Sequence, residues 1–109
     1  MQKPVVICGF KRSAMQFANK GAFAKVRPDD MAAQIVRALV DSSNISEEDI
    51  EDLIMGCAFP EAEQGFNVAR LVVNHAKLPK TVGGVTVNRF CGSSMTAIHN
   101  AAGMIQMNA

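Results

Sequence analysis

Across Cys91 the hydrophobic pattern of the chain changes period, and that change constrains the fold more than any other feature. Upstream, Val85 and Val87 alternate with Thr86 and Asn88, the period of a strand. Downstream, small and apolar residues recur at Met95, Ile98, Ala102 and Ile105, the spacing of a helix. A strand that runs straight into a helix places the cysteine at the helix N-terminus. Free N–H groups and the helix dipole there favour a thiolate, the nucleophilic form of the side chain. Most cysteines are inert and buried; the strand–Cys–helix placement sets Cys91 apart. Cys8 and Cys57 sit inside apolar runs, Val5-Val6-Ile7-Cys8 and Leu53-Ile54-Met55-Gly56-Cys57, and read as core residues.

The rest of the chain repeats the alternation. Residues 5–10 form a short continuous apolar run, the pattern of a strand buried on both faces. Residues 11–26 are mixed and read as an irregular connection. Pro28-Asp29-Asp30 opens a helix, because proline suits the first turn and carboxylates suit the positive end. Met31, Ile35, Ala38 and Leu39 give that helix an apolar face, and it is expected to stop near Asp41-Ser42-Ser43-Asn44. Ser46-Glu47-Glu48-Asp49 has the form of a capping box ahead of a short helical turn.

A second buried-type strand is expected over residues 53–59, ended by Pro60, then a polar loop over 61–65. A helix over 66–76 carries Val68, Leu71, Val72 and His75 on one stripe, and Leu78-Pro79-Lys80 breaks it. Residues 83–90 are the third strand and 92–107 the last helix. This order implies an α/β fold with parallel strands, right-handed crossovers and helices covering the sheet. A three-stranded sheet of this kind leaves an exposed edge, so the chain reads as the front portion of a longer sequence.

Composition narrows the function classes. The chain has 109 residues, enough for one small domain near the low end for a sizeable core. With 49% hydrophobic and 19% charged residues it is globular rather than disordered. A net charge of +1, with acids and bases interspersed and no Trp or Tyr, gives no footprint for nucleic acid or another polyanion. No apolar run approaches a membrane span. The start Met1-Gln2-Lys3-Pro4-Val5 lacks the layout of a secretory signal. The cysteines show no CxxC or Cys/His spacing for zinc, and three of them without a framework fit a reducing compartment; with the start of the chain, the expectation is a cytoplasmic protein. Gly83-Gly84 is a turn into a strand rather than a phosphate loop, and Glu61 and Glu63 read as a solvated loop. Met95, Met104 and Met107 read as core or interface filler.

Val87, Asn88, Cys91, Gly92, Ser93, Ser94, Met95, Ala97, Ile98 and Ile105 fall in register on a known pattern: aliphatic, small polar, two free positions, nucleophilic Cys, three small residues, aliphatic helix. The segment resembles the active-site block of the thiolases. The resemblance extends over almost the whole chain. Lys11-Arg12-Ser13 stands at the arginine-containing entry loop, followed in order by Arg27-Pro28-Asp29-Asp30-Met31, Leu53-Ile54-Met55-Gly56, Asn67-Val68-Ala69-Arg70 and Leu78-Pro79. Two positions depart from the family habit. Ser13-Ala14 stands where Thr-Pro is usual, and the tetrad Cys91-Gly92-Ser93-Ser94 ends in serine rather than glycine. Both bear on the subfamily and its acyl-chain preference.

The resemblance implies the first part of a thiolase-like domain, residues 1–109, with later strands, a loop domain and a C-terminal domain beyond it. It implies reversible Claisen condensation or thiolysis of acyl-CoA thioesters through an acyl-Cys intermediate. Cys91 would be nucleophile and acyl carrier, and its backbone N–H a donor to the oxyanion. Coenzyme A thioesters would be substrates, with no permanently bound cofactor and no metal. The family is typically dimeric or tetrameric. The base for Cys91, the second acid/base and further oxyanion donors belong to later family blocks, so this chain alone is expected to be inactive. His75 reads as a structural histidine. His99 lies two helical turns past Cys91, about 12 Å along the axis and too far to be its base. A ketoacyl-synthase-type condensing enzyme, a non-catalytic thiolase-like lipid-carrier domain, and a half-domain that only pairs with another copy are the competing readings.

Overall fold

The computed structural model describes residues 3–109. Met1 and Gln2, which begin the start read above as lacking a secretory layout, lie outside the described residues. In chain order the elements are α1 (Pro28–Asp41), β1 (Asp52–Gly56), α2 (Val68–His75), β2 (Gly83–Val87) and α3 (Ser93–Met107), with 3₁₀ turns at Glu47–Asp49, Ala62–Gln64 and Phe90–Gly92. β1 and β2 run parallel, from Asp52 opposite Gly83 to Gly56 opposite Val87. Beyond the strands, the Cys57 N–H continues the ladder to the Val87 carbonyl at 2.9 Å. The expected α/β layering is present: α2 connects the strands and helices cover both faces of the sheet.

Strand alternation sorts the two faces. Leu53 and Met55 point towards the core, where they meet Val68, Val72 and Val73 of α2 and Ala33 of α1. Ile54 and Gly56 point the other way and share an open groove with Ser94, Ala97 and Ala101 of α3. On the α2 face the helix backbone comes very close to β2. A Cβ added at Gly84 would lie 2.6 Å from both the N and the Cα of Arg70. Only a residue without a side chain permits that approach.

The start of α1 is an ion-paired knot. Pro28 occupies its first turn, and Arg27 grips Asp29 with two bonds, Nε to Oδ1 at 3.1 Å and Nη2 to Oδ2 at 2.8 Å. Asp29 is buried and also accepts the Asp30 N–H at 3.0 Å. The Arg27 hydrogen bond holds the Asp29 carboxyl below its usual range, against the opposing effect of burial. Asp30 meets His75 Nδ1 at 2.9 Å, which ties the start of α1 to the end of α2.

Several expectations are corrected. Residues 5–10 form no strand, and Val6, Ile7 and Phe10 are exposed. Cys8 is exposed rather than in the core, whereas Cys57 is buried. A strand suited to burial on both faces needs a paired edge and a layer on each side, and β1 and β2 pair only with one another among the described residues. The strands are also shorter than expected, ending at Gly56 and Val87. The turn at Glu47–Asp49 forms, but the Ser46 side chain makes no cap bond. On α1 the face against the core is Ala32, Ala33, Val36 and Val40. The helix is apolar around much of its circumference, and the small residues win the closest packing. On α2 both Val68/Val72 and Ala69/Val73 are buried because the helix lies between α1 and the sheet, while Leu71 and His75 face out. Met95 and Met107 are exposed and are not core filler.

Two outcomes follow from this packing. Gly84→Ala is expected to lower stability by about 1–3 kcal/mol through overpacking, seen as a lower urea midpoint at unchanged slope. Folding lowers the Asp29 pKa, so the stability from the Arg27 grip is fully present above about pH 3.9, the unfolded carboxyl value. It is lost as pH falls through the lower folded value. Asp29→Asn is therefore expected to narrow the gap in melting temperature between about pH 7 and about pH 3.

Candidate active site around Cys91

Cys91 sits in the 3₁₀ turn Phe90–Gly92, between the end of β2 and the first residue of α3. Its side chain is exposed. The strand–Cys–helix order expected from the sequence is thus the order found, with one added turn. Gly92 is the N-cap of α3 and offers no side-chain cap. Ser93 is the first helical residue, and it is buried.

The chain reverses sharply to make this turn. Phe90 adopts φ 45°, in the left-handed region, which is strained for a bulky side chain and costs on the order of 1–3 kcal/mol. Local hydrogen bonds hold it there. Asn88 Oδ1 accepts the Phe90 N–H at 2.9 Å. Ser93 Oγ accepts the Arg89 N–H at 2.8 Å and donates to the Phe90 carbonyl at 2.6 Å. The Gly92 N–H reaches the Arg89 carbonyl at 3.0 Å. The Phe90 ring is exposed and stands 6.5 Å from that of Phe59, tilted by 58°.

Two elements seat the turn from behind. The first is Gly56 at the end of β1. A Cβ there would lie 2.3 Å from the Ser94 N and 2.5 Å from the Ser93 carbonyl carbon. The start of α3 therefore rests directly on the β1 backbone. The second is a polar clamp between α2 and β2. Asn67 caps α2 by accepting the Arg70 N–H at 3.4 Å, accepts the Thr86 hydroxyl at 2.7 Å, and donates from Nδ2 to the Gly84 carbonyl at 2.7 Å. Thr86 Oγ1 in turn accepts the Ala69 N–H at 3.1 Å. Arg70 donates to the carbonyls of Val82 and Lys80 just ahead of β2. The landmark Asn67-Val68-Ala69-Arg70 is thus a device that locks the strand leading to Cys91.

His75 is engaged with Asp30, and His99 is exposed on α3. Glu63 pairs with Arg27 at 3.5 Å, at the start of α1. The groove between β1 and α3, of about 750 Å³, is lined by apolar residues such as Ile54, Ala97 and Ile98 and does not include Cys91. Sequence reasoning assigned no role to Gly56, Asn67 or Ser93. A glycine closing an apolar strand was the available signal for the first.

A family model described as "Thiolase, N-terminal domain" matches residues 5–109. The chain belongs to the thiolase family. This thiolase chain is 50% identical over 106 residues to the 3-ketoacyl-CoA thiolase of Acinetobacter baylyi, a match covering 97% of this chain and 27% of that protein. It is 50% identical over 103 residues to the 3-ketoacyl-CoA thiolase of Psychrobacter arcticus, covering 94% and 26% respectively. Its fold superposes on the acetyl-CoA acetyltransferase of Bacillus anthracis with a TM-score of 0.74 at 31% identity, over 81% of this chain and 22% of that one. The thiolase chain therefore spans about a quarter of the length of these relatives. The family is one of acyltransferases. Among the described residues no helix is long and apolar enough to cross a membrane.

The seat under the thiolase turn generates one expectation. Gly56→Ala must push Ser93 and Ser94 away from β1, so it is expected to cost about 1–3 kcal/mol of stability. It is also expected to speed amide hydrogen exchange at Ser94 more than in α2, as measured residue by residue.

Proposed function

We propose that this chain is the N-terminal portion of an acyltransferase that breaks or makes the carbon–carbon bond of 3-ketoacyl-CoA thioesters, with Cys91 as nucleophile and acyl carrier. The observation that carries the reading is an exposed cysteine, on a braced turn at a helix start, in a chain of the thiolase family. The names of the relatives supply the substrate class.

In the thiolytic direction the Cys91 sulfur attacks the 3-keto carbon. A carbon–sulfur bond forms, the bond between C2 and C3 breaks, and the departing carbanion takes a proton to become acetyl-CoA. The thiol of free CoA then attacks the acyl-cysteine thioester and the Cys91 sulfur leaves. Condensation is the same sequence reversed. The Cys91 backbone N–H, at the positive end of α3, stabilises the oxyanion of the tetrahedral intermediate. Neither His75 nor His99 serves as base. The proton-transferring groups come from outside residues 1–109, so the chain alone does not turn over. CoA thioesters act as substrates, no cofactor is permanently bound, and the protein works as a cytoplasmic dimer or tetramer.

Mass spectrometry of the full-length protein after mixing with acetyl-CoA tests this reading. One acetyl group per subunit is expected, mapped to the peptide containing Cys91 and absent from Cys91→Ala. The 109-residue chain alone is expected to gain none. Acetylation that persists in Cys91→Ala would refute Cys91 as the acyl carrier, and none in the full-length protein would leave a non-catalytic thiolase-like domain as the reading.

A further inference from the structure

We infer that Ser93 is a positioning residue for Cys91: its buried hydroxyl holds the left-handed Phe90 turn on which the nucleophile is presented. The inference rests on the reading of Cys91 as acyl carrier. Ser93 is 3% exposed, so its hydroxyl must be satisfied inside the protein. Both of its bonds go to the two residues ahead of Cys91, accepting from the Arg89 N–H and donating to the Phe90 carbonyl. One side chain on α3 thus grips the strand end across Cys91, and the cysteine is carried in the closed loop between them.

The grip is needed because the backbone does not favour the turn by itself. Phe90 has φ 45°, a conformation that a bulky side chain leaves when it is free to do so. If Phe90 returned to an ordinary conformation, the peptide planes on either side of it would rotate. Cys91 and its N–H would turn with them, away from a common target. Gly56 cannot prevent this, because it supports the Ser93–Ser94 backbone behind the turn and not Phe90 in front of it. Asn88 holds the Phe90 N–H. The Phe90 carbonyl accepts both the backbone N–H and the hydroxyl of Ser93, and only the hydroxyl also ties that carbonyl to the Arg89 N–H.

The full-length protein is acylated with acetyl-CoA in rapid-quench experiments read by mass spectrometry. Ser93→Ala is expected to lower the acylation rate at saturating acetyl-CoA by about ten- to a hundred-fold, the scale of a misplaced reacting group. The concentration giving half the maximal rate is expected to change little, since the hydroxyl is buried and both its bonds are internal. Ser93→Thr, which keeps the hydroxyl, is expected to recover most of the rate. Hydrogen exchange at the Arg89 amide is expected to rise about ten-fold in Ser93→Ala and to stay protected in Ser93→Thr. Wild-type acylation by Ser93→Ala would overturn the inference, as would a folded Ser93→Thr no faster than Ser93→Ala. If the wild type takes up no acetyl group, the functional reading falls. The exchange at Arg89 then decides the structural one: unchanged protection in Ser93→Ala overturns it.

Discussion

At Gly84 the backbone of α2, and at Gly56 the backbone of α3, lies against the sheet with no room for a side chain between. The two glycines stand on neighbouring strands and face opposite ways, so each helix is seated directly on main chain, one per face. Main-chain seating fixes a helix more tightly than side-chain packing does, because no rotamer change can absorb a displacement. Everything placed at the strand ends inherits that precision. β2 is fixed by α2 from one side, α3 is fixed by β1 from the other, and the turn joining β2 to α3 has both of its anchors set. Cys91 lies in that turn.

Polar bonds then remove the remaining freedom. The Asn67–Thr86 pair stops β2 from sliding along α2, and its side-chain groups bond to the Gly84 carbonyl, the Ala69 N–H and one another. Further along, Asn88 and Ser93 take up the donors and acceptors around Phe90. Spacing along β2 makes this arrangement coherent. Gly84 and Thr86 face α2, Val85 and Val87 face α3, and the first residue released from the ladder, Asn88, is the first one free to bond locally. The strained conformation at Phe90 is sustained because its surroundings are over-determined, the usual condition for strain to persist at a functional site.

Much of this was legible in the sequence, for particular reasons. The period change at Cys91 gave the strand–turn–helix order because a strand turns alternate side chains to opposite faces and a helix brings every third or fourth one to the same face. The opening of α1 was legible from Pro28-Asp29-Asp30, since those residues suit a helix start whatever follows. Residues 5–10 failed for a different reason. Their pattern reports the surroundings the segment is suited to, and not whether those surroundings are present; exposed Val6, Ile7 and Phe10 show that they are not. The face of α1 failed because Met31, Ile35 and Leu39 compete with Ala32, Ala33 and Val36 around a broadly apolar helix. The contest is settled by how closely α2 approaches, a tertiary fact. Asn67 and Ser93 carried no readable role because their partners, Thr86 and Phe90, are fixed only once the strand and helix have met.

The same distinction bears on how a nucleophile can be built. A helix start supplies partial positive charge to any residue placed there, yet the first helical position of α3 is a buried one, as Ser93 shows. Here the cysteine is held in a 3₁₀ turn ahead of the helix, and the first helical position is given to a buried serine instead. Exposure of the sulfur and burial of the hydroxyl are therefore two results of one backbone path. A tighter junction, with Cys91 itself as the first helical residue, would lose the exposed thiol. A looser one would lose the grip of Ser93 on Phe90. The single residue between Cys91 and Ser93, Gly92, gives the spacing that satisfies both demands, which is why the small residues after the cysteine matter as much as the cysteine does.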